Sequence, residues 1–441
     1  MSLTPPPKVR KLQEALHVKA KGSPNYRFYR LYDKLYRRDV LEFAYACCRH
    51  NDGAAGVDNQ SFDEIETYGR DRWLDELAEA IQKRTYVPAA VRRVWIPKAD
   101  GKQRPLGIPT IRDRVVQMAV VLVLGPIFEA DLQPEQYAYR PERSALDAVE
   151  AVRIWVIRGY TEVVDADLSG YFDSIPHHEL MKSVARRVSD GNLLRLIKQW
   201  LEMPVEEFDD RGQKTRTTRN RDEGRGTPQG APLSPLLANV YMRRFVLAWK
   251  TLGYEQRLQA KIVNYADDFV ICCHGTAQSA MTAMRHIMQG LKLTVNETKT
   301  RIANLPEDSF DFLGYTIGRC YTHRTSRAYL GARPSTKSIR KRTSAVSDRT
   351  RRSSLGHSVP EVVTDLNRML TGWANYFRLG CVSPAYAVVQ RHTCRRLRQW
   401  LRHKFRQQHW RATQLTNEQL CDQYGLVYLP NQRRGYLKAS T

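Results

Sequence analysis

The stretch that decides the fold runs from Lys261 to Cys273, KIVNYADDFVICC. Ile262, Val263, Tyr265, Phe269, Val270 and Ile271 favour strands, whereas Asp is depleted in them. Two adjacent carboxylates between apolar arms mark a tight turn, a metal site, or both. Read as a hairpin, the segment places Asp267 and Asp268 at its tip; a turn that only points two charges at solvent has the same pattern. About a hundred residues earlier, VVDADLSGYFDSIPH (Val163 to His177) supplies a second apolar run, and its Asp165 and Asp167 share one face by the strand period of two. Three carboxylates at one end of a sheet suit two divalent cations bridged by phosphate oxygens. One ion lowers the pKa of an attacking 3′-hydroxyl and the other neutralises a leaving pyrophosphate.

Bulk properties agree with work on a polyanion. The chain has 441 residues, 42% of them hydrophobic, which is enough for two or three folded domains. Seventy Lys and Arg against 46 Asp and Glu give a formal charge of +24, and nucleic acid is the partner this favours. The excess is lopsided: 24 basic and five acidic residues lie from Tyr315 onward. Eight cysteines include two vicinal pairs and no C-x-x-C, so a reducing cytosol is expected, with no disulfide framework or zinc ribbon. Val115 to Phe128 is too short to span a bilayer, and the start does not read as a signal peptide; no membrane association is expected.

Periodicity and turn residues outline the rest. They predict a basic, Tyr-rich helix over Tyr26 to Cys48, a Gly-rich loop over His50 to Ser61, and a helix over Phe62 to Arg84. Two short strands between Val91 and Ile108 flank the turn Ala99-Asp100-Gly101, and a helix follows over Asp113 to Phe128. A strand over Thr161 to Ser169, helices over His177 to Leu201, a charged hairpin near Val205 to Thr227 and a helix over Leu233 to Trp249 come next. After the hairpin, a helix over 276–290 and strands LKLTV and FDFLGYTI complete an α+β region around a mostly antiparallel sheet. Thr322 to Ser358, rich in Arg, Ser and Thr, reads as a partly flexible connection to helices over Val359 to Leu379 and Pro384 to Gln408.

Other residues join the carboxylates. Lys98 and Arg104, on strands joined by a tight turn, could clamp a triphosphate, Arg through its planar fork. GTPQGAPLSPLLANVYM (Gly226 to Met242) sets a Gly- and Pro-rich loop before a helix, so backbone can approach a nucleotide while Gln229 reaches it. Arg391, Arg395, Arg398 and Arg402 lie in a run with almost no acidic neighbours, which points to nucleic-acid contact and not to salt-bridged solvation.

Taken in order, YADD (265–268), DLSGYFD (167–173), IPK…RPLGIP (96–109), TPQGAPLSPLLAN (227–239) and FLGY (312–315) resemble the reverse transcriptase motifs, most closely those of the group II intron type. GVDNQSF (Gly56 to Phe62) looks like the additional N-terminal motif of such proteins, and LNRMLTGWANYFRLG (Leu366 to Gly380) is similar to their maturase, or X, domain. The resemblance implies an α+β right-hand polymerase, with fingers and an antiparallel-sheet palm followed by an α-helical thumb/maturase domain. Its parts would be an N-terminal extension and first fingers motif (1–77), fingers and palm (78–320), and a basic helical thumb/maturase domain (321–441). It also implies that Asp167, Asp267 and Asp268 are catalytic metal ligands for two Mg²⁺ ions, Mn²⁺ being an alternative, with Asp165 and Asp173 as neighbours. Lys98, Arg104, Phe172 and Gln229 would bind the deoxynucleoside triphosphate, Phe172 excluding a ribose 2′-hydroxyl. Leu313 and Gly314 would form the primer grip, and Lys299 would lie where a proton is fed to pyrophosphate.

The implied activity is RNA-directed DNA synthesis from a DNA primer on an RNA template, together with binding of structured intron RNA and assistance to splicing, in a prokaryotic-type cytosol as a ribonucleoprotein. His392, Cys394, His403, His409 and Cys421 do not form two well-spaced ligand pairs, so no endonuclease domain is expected. Three alternatives remain: a non-catalytic RNA-binding splicing maturase, a host-adapted (defence) reverse transcriptase, and an RNA-dependent RNA polymerase, against which Phe172 argues. The RNA bound, the priming mechanism and the oligomeric state are not legible.

Overall fold

The computed structural model describes residues 3–97, 101, 103–208, 213–322, 325–405 and 415–429. Helix α1 (Pro7–Gly22) opens with Pro at its first position, where the missing N–H has no helical partner to lose. The single helix predicted over Tyr26 to Cys48 is broken into an extended segment, a short α2 (Tyr32–Leu35) and α3 (Arg38–Asn51). Distant groups take the hydrogen bonds a helix would have used. Phe28 N–H donates to the Arg187 carbonyl at 2.7 Å, and the Phe28 carbonyl accepts from Ser189 N–H at 2.8 Å. Leu31 and Tyr32 N–H both donate to Asp190 Oδ2 at 2.8 Å. The helix predicted over Phe62 to Arg84 divides at Gly69 (φ 107) into α4 (Phe62–Tyr68) and α5 (Arg70–Gln82).

The fingers strands β1 (Val91–Pro97) and β2 (Gln103–Ile108) pair antiparallel, with the expected Ala99-Asp100-Gly101 turn lying largely outside the described residues. Helix α6 (Ile111–Glu129) has a charged first turn, but from Val115 to Phe128 it is apolar nearly all round and is largely buried accordingly. Helix α7 (Ala145–Ile157), which the sequence reading omitted, is started by a reciprocal Ser144–Asp147 cap. Then come β3 (Glu162–Asp167), α8 (Tyr171–Ser174), α9 (His177–Ala185), α10 (Gly191–Leu201), β4 (Val205–Phe208), β5 (Lys214–Thr217), α11 (Arg219–Asp222), α12 (Ser234–Thr251) and α13 (Tyr254–Arg257). The deciding hairpin is β6 (Ala260–Tyr265) and β7 (Asp268–Cys273), followed by α14 (Ala277–Gly290), β8 (Arg301–Asn304), β9 (Phe310–Phe312), β10 (Tyr315–Tyr321) and β11 (Ala328–Pro334). Helices α15 (Thr336–Arg349), α16 (Val359–Tyr376), α17 (Ser383–Lys404) and α18 (Asn417–Asp422) complete the described chain. Among the described residues no helix is long and apolar enough to cross a membrane.

The palm sheet runs β6-β7-β3-β8, antiparallel throughout; a fingers sheet runs β2-β1-β4-β5 and a third sheet β11-β10-β9. Alternation sends successive palm side chains to two different cores. Val164, Ala166, Phe269, Ile271 and Cys273 join a core with α6, α12, α14 and the N-terminal helices. Val163, Val263, Val270 and Cys272 join a second with α7, α16 and α17.

LKLTV is not a strand: Val295 makes one bridge to Leu168, and β8 further on is the sheet's edge. The segment 322–358 is not a mere connection, since it holds β11 and α15. Few of its side chains are apolar, so periodicity misses it. Tertiary partners hold it instead: β11 pairs along its length with β10, Cys381 N–H donates to Ala332 at 2.8 Å, and Arg349 pairs with Asp365 at 2.6 Å. The domain boundary expected at 320/321 falls inside the β10–β11 hairpin, where Tyr321 pairs with Ala328.

Candidate active site

In the register of β3 with β7, Asp167 pairs directly with Asp268, and Tyr265 of β6 pairs with Asp268 from the other side. Directly opposed antiparallel residues have Cα atoms about 4.5–5.5 Å apart and successive Cα atoms are about 3.8 Å apart, which holds Asp167 and Asp267 within about 9 Å. Asp165, Asp167 and Asp268 share the face that continues down to Val163, Val270 and Cys272, so carboxylates crown the same surface whose lower half is packed core. The hairpin turn is the two residues Ala266-Asp267, with Ala266 in the left-handed region at φ 57. Asn264, fully buried, donates its amide to the Ala266 carbonyl at 2.8 Å and stabilises that uncommon conformation. The Asn264 backbone bonds to Glu135 and Tyr137, laying the segment 135–139 along the edge of β6.

Charge is concentrated at this corner. Burial, then the charges of Asp267, Asp167 and Asp165, push the Asp268 carboxyl up to about 6, with Lys299 pulling the other way. The side chain still reaches solvent, so the neighbouring carboxylates are the part of that shift a cation would reverse. Burial also raises Asp165 to about 6 against the opposing pull of Arg301, whose guanidinium is 3.7 Å away. Asp167 Oδ2 accepts from Lys299 Nζ at 3.0 Å and from Asn296 Nδ2 at 2.9 Å. Among the described residues no three His, Cys, Asp or Glu side chains converge as a finished metal cage. The donor set is nonetheless of the type a hard divalent cation takes, carboxylate oxygens crowded by like charge, and Asp167, Asp267 and Asp268 are the residues that fit it.

A second group of polar side chains links the fingers to the palm. Arg104 Nε donates to Gln229 Oε1 at 2.8 Å, and Gln229 Nε2 donates to Asp173 Oδ2 at 3.1 Å, linking β2 to α8 through the loop before α12. Gly230 (φ 111) lets this loop lie on β2, since a Cβ there would stand 2.6 Å from the Gly107 carbonyl. Phe172, 7% exposed, packs edge-on to Tyr171, and its carbonyl accepts from Thr227 N–H at 2.7 Å. Burial raises the Asp173 carboxyl, opposed by Arg93 and Arg104. Lys98 lies outside the described residues.

The model of the family described as reverse transcriptase (RNA-dependent DNA polymerase) matches residues 96–317, and the group II intron maturase-specific domain matches residues 339–416. Protein YkfC of Escherichia coli (strain K12) is 33% identical over 281 residues, covering 56% of this chain and 71% of that protein. Group II intron-encoded protein LtrA of Lactococcus lactis subsp. cremoris is 28% identical over 354 residues, 66% of this chain and 57% of LtrA. The chain belongs to the group II intron reverse transcriptase/maturase family. Among solved structures, a partial Cas6-RT-Cas1–Cas2 complex matches at 23% identity over 59% of this chain and 41% of that one, with a TM-score of 0.35.

Within this family member, one turn of the region matched by the reverse transcriptase model is bonded to the helices that follow it. Leu313 (φ 49) and Gly314 (φ 82) close a two-residue hairpin between β9 and β10. The Leu313 carbonyl accepts from Tyr376 Oη at 2.8 Å, and the Gly314 carbonyl from Ser335 N–H and Ser338 Oγ at 2.9 Å. On α17, Arg391, Arg395 and Arg402 are exposed. Arg398 is engaged within the fold, donating to the Leu415 carbonyl and to Asn417 Oδ1, both at 2.6 Å, and so anchors α18.

Two neighbours of the carboxylates were overlooked by sequence reasoning. Tyr139, held at φ 55 and half exposed, has its phenol raised by burial and then by Asp267 and Tyr265. Its signal was the Pro- and Arg-punctuated stretch QYAYRPERS. Asn296 carried no signal, being an ordinary turn residue in sequence.

Proposed function

We propose that this chain is an RNA-directed DNA polymerase that extends a DNA primer on an RNA template with deoxynucleoside triphosphates, and that its basic C-terminal region binds structured intron RNA and assists splicing. The observation that carries the reading is the direct pairing of Asp167 with Asp268 beside Asp267, at the open end of the palm sheet. Bound Mg²⁺ would supply charge neutralisation and activation of a hydroxyl at these three aspartates. Arg104, with a permanent charge and a forked donor set, binds triphosphate oxygens. Gln229 bridges the fingers and the palm beside it, and Phe172, packed against Tyr171, is the bulky residue that crowds a 2′-hydroxyl. The Leu313-Gly314 turn, fixed to α16 by Tyr376, seats the primer strand relative to the palm.

A second reading, RNA binding and splicing without synthesis, takes support from the Asp167 carboxylate, which Lys299 and Asn296 already engage. Primer extension separates the two. The full chain should extend a DNA primer on an RNA template in Mg²⁺, whereas Asp267→Ala and Asp268→Ala abolish extension and keep or improve RNA affinity, because removing negative charge near phosphates cannot weaken electrostatic binding. Equal extension by the variants and the wild type overturns the polymerase reading; no extension by any of them leaves the splicing reading in its place.

A further inference from the structure

We infer that Asp173 is a positioning residue for the incoming nucleotide, acting by fixing the orientation of the Gln229 amide and through it the Arg104 guanidinium. This rests on the polymerase reading above. A Gln amide has a donor end and an acceptor end of nearly equal size, and in solvent nothing chooses between its two orientations. Here both ends are specified. An ionised carboxylate only accepts, so Asp173 Oδ2 selects Nε2 as its partner at 3.1 Å. The acceptor Oε1 is then presented to Arg104 Nε at 2.8 Å. Among the described residues Arg104 is held through Nε alone, which leaves its two terminal nitrogens to donate to phosphate oxygens in a fixed plane.

The rest of the loop does not depend on Asp173. Gly226 N–H donates to the Ile175 carbonyl at 2.9 Å, Thr227 N–H to Phe172 at 2.7 Å, and the buried His177 ring bonds the Gly226 carbonyl at 2.7 Å. Gly107 N–H holds the Gln229 carbonyl at 2.6 Å. Replacing Asp173 by Asn therefore leaves the backbone in place. It substitutes a group that can either donate or accept, so the Gln229 amide can flip and turn its NH₂ toward Arg104, which also only donates.

The test is single-nucleotide incorporation on an RNA template by the wild type, Asp173→Asn, Gln229→Ala and the double variant, with KM for the deoxynucleotide and kcat measured separately. Asp173→Asn should raise KM by about five- to tenfold, the size of one ordinary hydrogen bond at an exposed site, with the change confined to KM. In the Gln229→Ala background the same substitution should add nothing further, a non-additivity that a merely structural Asp would not show. An unchanged KM in Asp173→Asn, or multiplicative effects in the double variant, overturns the inference while leaving the polymerase reading intact. A wild type that extends no primer overturns both.

Discussion

Replacing Asp268 by Asn should stabilise the protein while removing its proposed chemistry, and the size and pH dependence of the gain follow from the carboxylate corner. An Asp in the unfolded chain titrates near about 3.9, whereas in the fold burial and the charges of Asp267, Asp167 and Asp165 push Asp268 up to about 6. Ionisation is therefore unfavourable in the folded state, and the wild type loses stability as pH rises from about 4 through about 6. Well below about pH 3.9 the group is neutral in both states and the two proteins converge in stability, apart from any difference between Asn and protonated Asp. A shift of this size corresponds to ~3 kcal/mol at most. Because the side chain reaches solvent, screening reduces the expected gain to about 1 kcal/mol at low salt. Urea denaturation of both proteins at pH 4 and pH 8 without divalent ions measures it, and added Mg²⁺ should recover stability in the wild type more than in the variant. An Asp268→Asn protein no more stable than wild type at pH 8, or one whose gain is the same at pH 4, would refute the electrostatic account of the site.

Asp190→Ala should cost about 2–4 kcal/mol, since it removes the cap of α10 and strands the Leu31 and Tyr32 N–H groups; limited proteolysis should then cut between residues 22 and 37, and resistance there would contradict the role given to Asp190. On α17, Arg395→Gln with Arg402→Gln should weaken RNA binding and lower the salt slope by roughly 0.7–0.9 per arginine without loss of folding. Arg398→Gln should instead lower thermal stability by releasing Leu415 and Asn417, and a salt slope that falls equally in all three would show that the distinction between the exposed arginines and Arg398 is wrong.

The sequence alone determined the features written in short-range patterns. Apolar arms around Asp267-Asp268 specified the hairpin, the period of two placed Asp165 and Asp167 on one face, and the ordered motifs identified the family. These are legible because strand alternation, turn chemistry and capping depend on residues within a few positions of one another. Tertiary structure decided what depends on partners far along the chain. It cut the helix expected over Tyr26 to Cys48 because Arg187, Ser189 and Asp190 claim its backbone groups. It made β11 and α15 out of a segment poor in apolar residues, engaged Arg398 internally, and gave Asp173 a partner in Gln229. The register that opposes Asp167 to Asp268 spans about a hundred residues. No local preference encodes it; it follows from which faces of β3 and β7 must be buried in each of two cores, and sliding either strand by one residue would send its carboxylates to the opposite face.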